Sequence, residues 1–151
     1  MALDPSTDAL LKNLAAQNGP AIHQMDVATA RAVFAQLVPA LAGPAEDVHK
    51  VEDRRIPGPD GEIPVRIYWP RDSAGKALPV LVQFHGGGWV IGDLGTHDTM
   101  CRYFAKHADV IVVAVDYRLA PEHKFPAGVD DCIAATAWVH ANAASLGADG
   151  A

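Results

Sequence analysis

Several absences narrow the reading before any motif is considered. Half of the 151 residues are apolar, yet no run of them is long enough to span a membrane. Basic residues are outnumbered: the formal charge is -6, whereas a nucleic acid or an anionic membrane needs a basic face to release counterions or hold head groups. A neutral or weakly charged small molecule is the expected ligand. The N-terminus, Met1-Ala2-Leu3-Asp4-Pro5, has no basic region followed by an apolar run, so no secretory signal is read and a cytoplasmic protein is expected. Only two cysteines occur, Cys101 and Cys132, each in a helical-looking stretch that is apolar on one side. They read as buried thiols, not as a disulfide or a metal pair. Serine is equally scarce, at Ser6, Ser73 and Ser145. No internal repeat, low-complexity tract or interdomain linker is found, which leaves one domain with a real core, or part of one.

What is present begins with helices. Residues 6–17 open with the potential caps Ser6, Thr7 and Asp8 and place Leu10, Leu11, Leu14 and Ala15 on one face before Gly19-Pro20. A second helix is predicted from Asp26, with Ala30, Phe34, Leu37, Val38 and Leu41 at helical spacing and Pro39 as its kink or end. From Val48 the pattern alternates: residues 48–56, a turn at Pro59-Asp60-Gly61, then Ile63, Val65, Ile67 and Trp69. That pattern predicts an antiparallel hairpin at a sheet edge. Val80-Leu81-Val82-Gln83-Phe84 is almost continuously apolar, as expected of a central strand covered on both faces. Residues 97–108 suit a helix with Met100, Cys101, Phe104 and Ala105 inward, and residues 110–115 a second apolar strand, so a parallel crossover is predicted. After an irregular stretch over 116–126, a helix puts Val129, Cys132, Ile133, Thr136, Ala137 and His140 on one stripe, with Asp130 and Asp131 in its first turn against the dipole and Gly147 at its end. The class is α/β: a mostly parallel sheet with an antiparallel edge hairpin and helices on both faces, formed by residues 46–151 after a helical segment over 1–45. A helix that has just ended should feed another parallel strand, and none follows. The chain is therefore expected to be the first part of a larger sheet.

The chemistry concentrates at His85-Gly86-Gly87-Gly88-Trp89, which follows a buried-looking strand at the sheet end where open α/β folds bind ligands. Glycines there adopt backbone angles closed to other residues and bring N–H groups close to a ligand. Such groups hold the negative oxygen of a tetrahedral acyl intermediate, each worth about 3 kcal/mol. A flexible glycine turn is the plainer alternative. A phosphate loop is disfavoured, because neither the dinucleotide spacing nor a following Gly-Lys-Ser/Thr is present.

A second stretch, Asp116-Tyr117-Arg118-Leu119-Ala120-Pro121-Glu122-His123-Lys124-Phe125-Pro126-Ala127, stands about thirty residues on, after the next strand. With the first motif it makes the chain resemble the hormone-sensitive-lipase-like family of α/β-hydrolase esterases, Lys124 standing where that family more usually has proline. The resemblance extends over essentially the whole chain. It implies the N-terminal half of an α/β-hydrolase fold, with residues 1–45 as part of a lid and 46–151 as the first part of the core. It implies a serine carboxylesterase of short-chain acyl esters, with Gly86, Gly87 and Gly88 supplying the oxyanion-hole backbone, Trp89 and Val90 lining the acyl or alcohol pocket, and His85, Asp93, Asp116, Tyr117, Arg118 and Glu122 in structural roles. An amidase or deacetylase on the same scaffold remains a further reading. The family's Gly-Asp-Ser-Ala-Gly nucleophile elbow, acid and histidine are expected beyond Ala151, so the chain alone is expected to be inactive, and an inactive truncated or split fragment needing a complementary chain is the alternative reading.

No substitute for that nucleophile is found within the chain. Asp72-Ser73-Ala74-Gly75 copies most of an elbow, but Arg71 stands where glycine is needed and another strand follows in place of a helix. Ser145 reads as a local cap, and neither cysteine is placed as an activated thiolate. Among the histidines, His85 reads as loop-shaping, His97 has only its neighbour Asp98, and His123 belongs to the second motif; His140 sits on a helix stripe, and His23, His49 and His107 show no constellation. No metal site or cofactor is expected. Asp116, Arg118 and Glu122 are expected to form one charge-assisted network under the site, a solvated charge cluster being the plainer alternative, and Asp93 either caps the next helix or contacts substrate, the structural role being favoured. Expected partners are a small-molecule ester and the remaining C-terminal part of the hydrolase as a separate segment or chain, with a homodimer open; no nucleic acid or membrane partner is expected.

Overall fold

The computed structural model describes residues 3–16, 19–73 and 75–150. Gln17, at the end of the first predicted helix, and Ala74, in the elbow-like stretch, lie outside them. Helix α1 (Pro5–Ala16) starts on proline, whose missing N–H costs nothing in a first turn. It is capped ahead of the predicted Ser6, Thr7 or Asp8, two residues before the first of them: the Asp4 carboxylate accepts from the Ser6 N–H at 2.9 Å. Leu10 and Leu11 stay exposed. Helix α2 (Val27–Ala42) is capped by Asp26, which accepts from the Thr29 N–H at 3.0 Å. The helix runs on through Pro39. Both Pro39 and Ala35, whose carbonyl has no N–H at Pro39 to accept from, are exposed, so that oxygen is open to solvent.

Strands β1 (Lys50–Gly58) and β2 (Gly61–Trp69) form the predicted hairpin, with Gly58 opposite Gly61 and Pro59-Asp60 as the two-residue loop. Strands β3 (Val80–Phe84) and β4 (Ile111–Val115) are joined by helix α3 (Asp98–Ala108), and helix α4 (Ala127–Leu146) follows. The sheet order is β1-β2-β4-β3, with β2 antiparallel and β3 parallel to β4. The fully buried interior strand is therefore β4, not β3. Leu81 and Phe84 on β3 are 39% and 42% exposed, because none of the described strands pairs along its outer side. Its apolar composition matches that of β4, so the sequence pattern did not separate them.

Alternation divides the core between two faces. Ile63, Val65 and Ile67 of β2 and Val113 and Val115 of β4 pack with α4, while Tyr68, Val112 and Ala114 pack against Cys101 and Ala105 of α3. Met100 and Phe104, expected inward, are instead partly exposed. On α4 the buried stripe is Gly128, Asp131, Ala135, Val139, Ala143 and Leu146. The predicted stripe lies alongside it, with Ile133 64% exposed. This helix is apolar on more than one side, and periodicity alone cannot choose between them. Gly147 takes the left-handed conformation (φ 74°) that ends α4, after which Ala148 opens a parallel bridge beside Leu78 at the start of β3. Among the described residues no helix is long and apolar enough to cross a membrane.

Asp131 does more than offset the α4 dipole. Almost wholly buried, it accepts from the Arg118 backbone N–H (2.9 Å), Nε (2.9 Å) and Nη2 (2.8 Å), fastening α4 to the loop after β4. Removing one partner of such a pair strands the other charge. Asp131→Ala is expected to cost about 3 kcal/mol in urea unfolding. Asp130→Ala, which loses an exposed charge near the helix N-terminus, is expected to cost under about 1 kcal/mol.

Candidate active site

Strand β3 delivers His85 and the glycines to the carboxyl end of the sheet. His85 Nδ1 lies 2.9 Å from the Gly86 carbonyl, its ring stacks on Tyr117 at 4.4 Å, and its own carbonyl accepts from the Tyr117 hydroxyl at 2.5 Å. Gly87 (φ 132°), Gly88 (φ 60°) and Trp89 (φ 60°) then turn the chain through backbone angles of positive sign. A Cβ on Gly87 would strike the Ile91 carbonyl, and one on Gly92 the His85 ring. The Gly87 carbonyl accepts from Val90 N–H (3.2 Å) and Ile91 N–H (3.1 Å), which closes the loop as a tight turn. Trp89 is 67% exposed and holds a conformation costly for a bulky residue. Its carbonyl takes the Ala120 N–H at 2.8 Å, joining the two motifs. Turns, not a helix, carry the chain from the glycines to α3. Gly86, Gly87, Gly88, Trp89, Tyr117 and Cys132 line a cavity of about 310 Å³.

The expected mutual network of Asp116, Arg118 and Glu122 does not form. Arg118 pairs with Asp131 and with Asp60 (2.8 Å), Glu122 pairs with Arg31 of α2, and Asp116 sits apart, its carboxyl raised above the ordinary range by burial. The loop side chains reach out to separate elements because tying the loop to the hairpin, α2 and α4 requires partners on those elements. Sequence reasoning missed Arg31. Its Nε donates to the Val90 carbonyl at 2.8 Å, its Nη2 to the Ala120 carbonyl at 3.0 Å, and both Nη atoms to Glu122 at 2.9 and 2.7 Å. One guanidinium thus clamps the glycine loop, the second motif and α2. The available signal was that Arg31 is the only charged residue in α2.

The remaining candidates separate clearly. Asp93 does not cap α3; its carboxylate accepts from the Thr96 N–H at 2.7 Å and closes a turn ahead of the helix. Val90 acts through its carbonyl on Arg31. Ser73 lies against Gly147 before the start of β3, at the opposite end of the strand from the glycine loop. Ser145 bonds to the Asn142 carbonyl, and Ser6 to Asp4. Cys101 is buried, while Cys132 is only partly so and lines the glycine cavity. Burial pushes the Cys132 thiol up to about 11, so it stays protonated and unreactive near neutral pH. Two clefts flank the loop. One of about 480 Å³ is polar and includes Arg31, Asp93, Thr96, Asp116, Glu122 and His123; the other, about 420 Å³, is apolar and walled by Trp89, Phe125, Pro126 and Val129. Among the described residues no group of three or more His, Cys, Asp or Glu is placed to hold a metal.

The Arg31 clamp has a pH signature. Hydrogen bonds from Arg31, chiefly, hold Glu122 at about 2, below its usual 4.5. A carboxylate with a depressed folded value stabilises fully above its unfolded value, and that contribution fades as pH falls towards the folded one. The carboxyl carbon of Glu122 is expected to titrate near 2 by NMR and, in Arg31→Met, to return to the ordinary range near 4.5.

Comparisons with known proteins fit this geometry. A model of the alpha/beta hydrolase fold matches residues 81–151. The carboxylic ester hydrolase LipN of Mycobacterium tuberculosis is 46% identical over 143 residues, which is 93% of this chain and 37% of that protein. A hyperthermophilic esterase from the archaeon Pyrobaculum calidifontis superposes with a TM-score of 0.88 at 46% identity, covering 99% of this chain and 47% of its own. An ester hydrolase from the metagenome of Lake Arreo gives a TM-score of 0.93 at 38% identity, covering 99% and 48%. The chain spans less than half the length of each of these three relatives. On sheet order, loop placement and likeness to these esterases alike, the chain carries an N-terminal portion of the alpha/beta hydrolase fold.

Proposed function

We propose that this chain supplies the oxyanion-hole half of a serine carboxylesterase in the hormone-sensitive-lipase-like branch. The observation that carries the reading is the run from Gly86 to Gly88 at the carboxyl end of β3, lining a cavity, with Gly87 at a positive φ where a Cβ would strike the Ile91 carbonyl. In this reaction a serine hydroxyl attacks the ester carbonyl while a histidine takes its proton, and the carbonyl oxygen becomes an anion. Backbone N–H groups of the glycine loop donate to that anion. The alcohol then leaves with a proton, and water hydrolyses the acyl-serine by the same route.

The serine, acid and histidine come from a segment that packs on the open side of this chain. Three features support that partner: the unpaired side of β3, the parallel bridge that Ala148 makes beside Leu78, and the exposed apolar stripe of Val129 and Ile133 next to Phe84. An apolar stripe flanking a free parallel edge suits another layer of the same sheet and its helices. Trp89 and Phe125 form the apolar wall for a small ester, and the α2 helix, tied down by Arg31, forms the opposite wall of the site as part of a lid over residues 85–89.

The test is turnover of p-nitrophenyl butyrate by this chain alone and after joining to the nucleophile-bearing segment of a relative. Turnover is expected only in the joined protein, with no fluorophosphonate label on the chain alone. Gly87→Ala in the joined protein keeps its N–H, but its Cβ would strike the Ile91 carbonyl and shift the loop, so kcat is expected to fall by about 10²- to 10³-fold, as when one oxyanion donor is lost from its position. Fluorophosphonate labelling of Ser73 would contradict the reading.

A further inference from the structure

Trp89 is a bulky residue at a φ of 60°, in the left-handed region, with 67% of its surface exposed. Such a conformation is costly for a residue with a large side chain and persists only where the surroundings over-determine it. Little packing grips the ring, so the backbone on either side must supply the hold.

The two peptide groups that follow Trp89 have all four of their polar atoms bonded. The first gives its N–H, that of Val90, to the Gly87 carbonyl (3.2 Å), and its oxygen, that of Trp89, accepts from the Ala120 N–H (2.8 Å). The second gives its N–H, that of Ile91, to the same Gly87 carbonyl (3.1 Å), and its oxygen, that of Val90, accepts from Arg31 Nε (2.8 Å). The two inward bonds share one acceptor and lie at the long end of the ordinary range. The two outward bonds are shorter, and both lead to one side chain, because the Ala120 carbonyl accepts in turn from Arg31 Nη2 at 3.0 Å. A guanidinium donor carries charge, which makes its hydrogen bonds the stronger kind. Glu122 steadies the fork through both Nη atoms. Helix α2 brings little else to this contact: of its 16 residues only Ala30 is buried, and Arg31 is its one charge.

We propose that Arg31 is a positioning residue for the glycine loop: its hold on the Val90 and Ala120 carbonyls keeps Trp89 in the left-handed conformation, so the loop stays closed only while α2 is docked. The N-terminal segment then sets the state of the loop as well as covering it. When Arg31 withdraws, both outward anchors loosen together, Trp89 relaxes to a negative φ, and the Gly87 carbonyl releases the Val90 and Ile91 N–H groups. The consequence for turnover rests on the oxyanion-hole reading; the hold on Trp89 does not.

Amide hydrogen exchange of the unjoined chain reads that hold without ester or nucleophile. Arg31→Lys keeps a charge beside Glu122 but loses the fork. Protection of the Val90, Ile91 and Ala120 amides is expected to fall about tenfold further than that of Val113 in β4, the change that release of one strained residue brings. Adding Trp89→Asn is expected to restore the Val90 and Ile91 amides, since asparagine tolerates the left-handed region. Trp89→Asn alone, with Arg31 intact, is expected to raise their protection, and it decides the matter if Arg31→Lys does not fold. An arginine that only stabilises the fold would lower the loop amides and Val113 together, with no rescue by asparagine. That result, or loop amides left unchanged or less protected by Trp89→Asn alone, would overturn the proposal. In the joined protein Arg31→Lys is expected to lower kcat for p-nitrophenyl butyrate about tenfold with KM within about twofold. A raised KM at unchanged kcat, the mark of a mere cover, would contradict it. An unmodified joined protein without turnover would instead sink the oxyanion-hole reading and leave hydrogen exchange to decide this one.

Discussion

The parallel pairing of β3 with β4 is the constraint on which the rest of the site depends. With Phe84 opposite Val115, both strands end at the same level of the sheet, so the glycine loop and the Asp116 loop leave side by side. Tyr117 can then stack beneath His85 and bond its carbonyl, and Ala120 can reach the Trp89 carbonyl. A slip of one residue would turn every side chain of the shifted strand to the other face and separate these contacts. The register is held by burial: β4 is enclosed on both faces, and the hairpin braces its other side.

Around that pairing, charged anchors fix loops that have no regular structure of their own. Arg118 ties the second loop to α4 and to the hairpin turn, and Arg31 ties both loops to α2. Each arginine directs its forked donors to carbonyls and carboxylates from different elements, which a lysine's single point charge cannot reproduce. The glycine loop is thereby tied to the second motif and to α2, and preorganised donors are what the proposed stabilisation of an anion requires. The apolar side of α4 and the outer side of β3 show the opposite character, exposed and unpaired among the described residues.

Much of this was legible in the residues. The hairpin turn at Pro59-Asp60, the helix start at Asp26, the Gly147 stop and the placement of His85 to Gly88 after a strand all follow from local chemistry. Errors arose wherever a segment is apolar on more than one side. Residues 80–84 and 111–115 read alike, and only long-range pairing decides that β4 is interior. Likewise Val129 and Ile133 looked inward because α4 offers two apolar stripes and the sheet takes the one containing Asp131. Charge partners were hidden for a different reason: Arg31 and Glu122 are 91 residues apart, and neither carries a local signature of the other.

The central claim is that this glycine loop binds the oxyanion. Its most direct test is a crystal structure of the joined enzyme with an organophosphonate on the nucleophilic serine, whose phosphoryl oxygen stands where the oxyanion forms. The account places that oxygen about 2.7–3.1 Å from backbone nitrogens within the run from Gly86 to Gly88. A phosphoryl oxygen bound elsewhere, with no nitrogen of that loop within hydrogen-bonding reach, would contradict it.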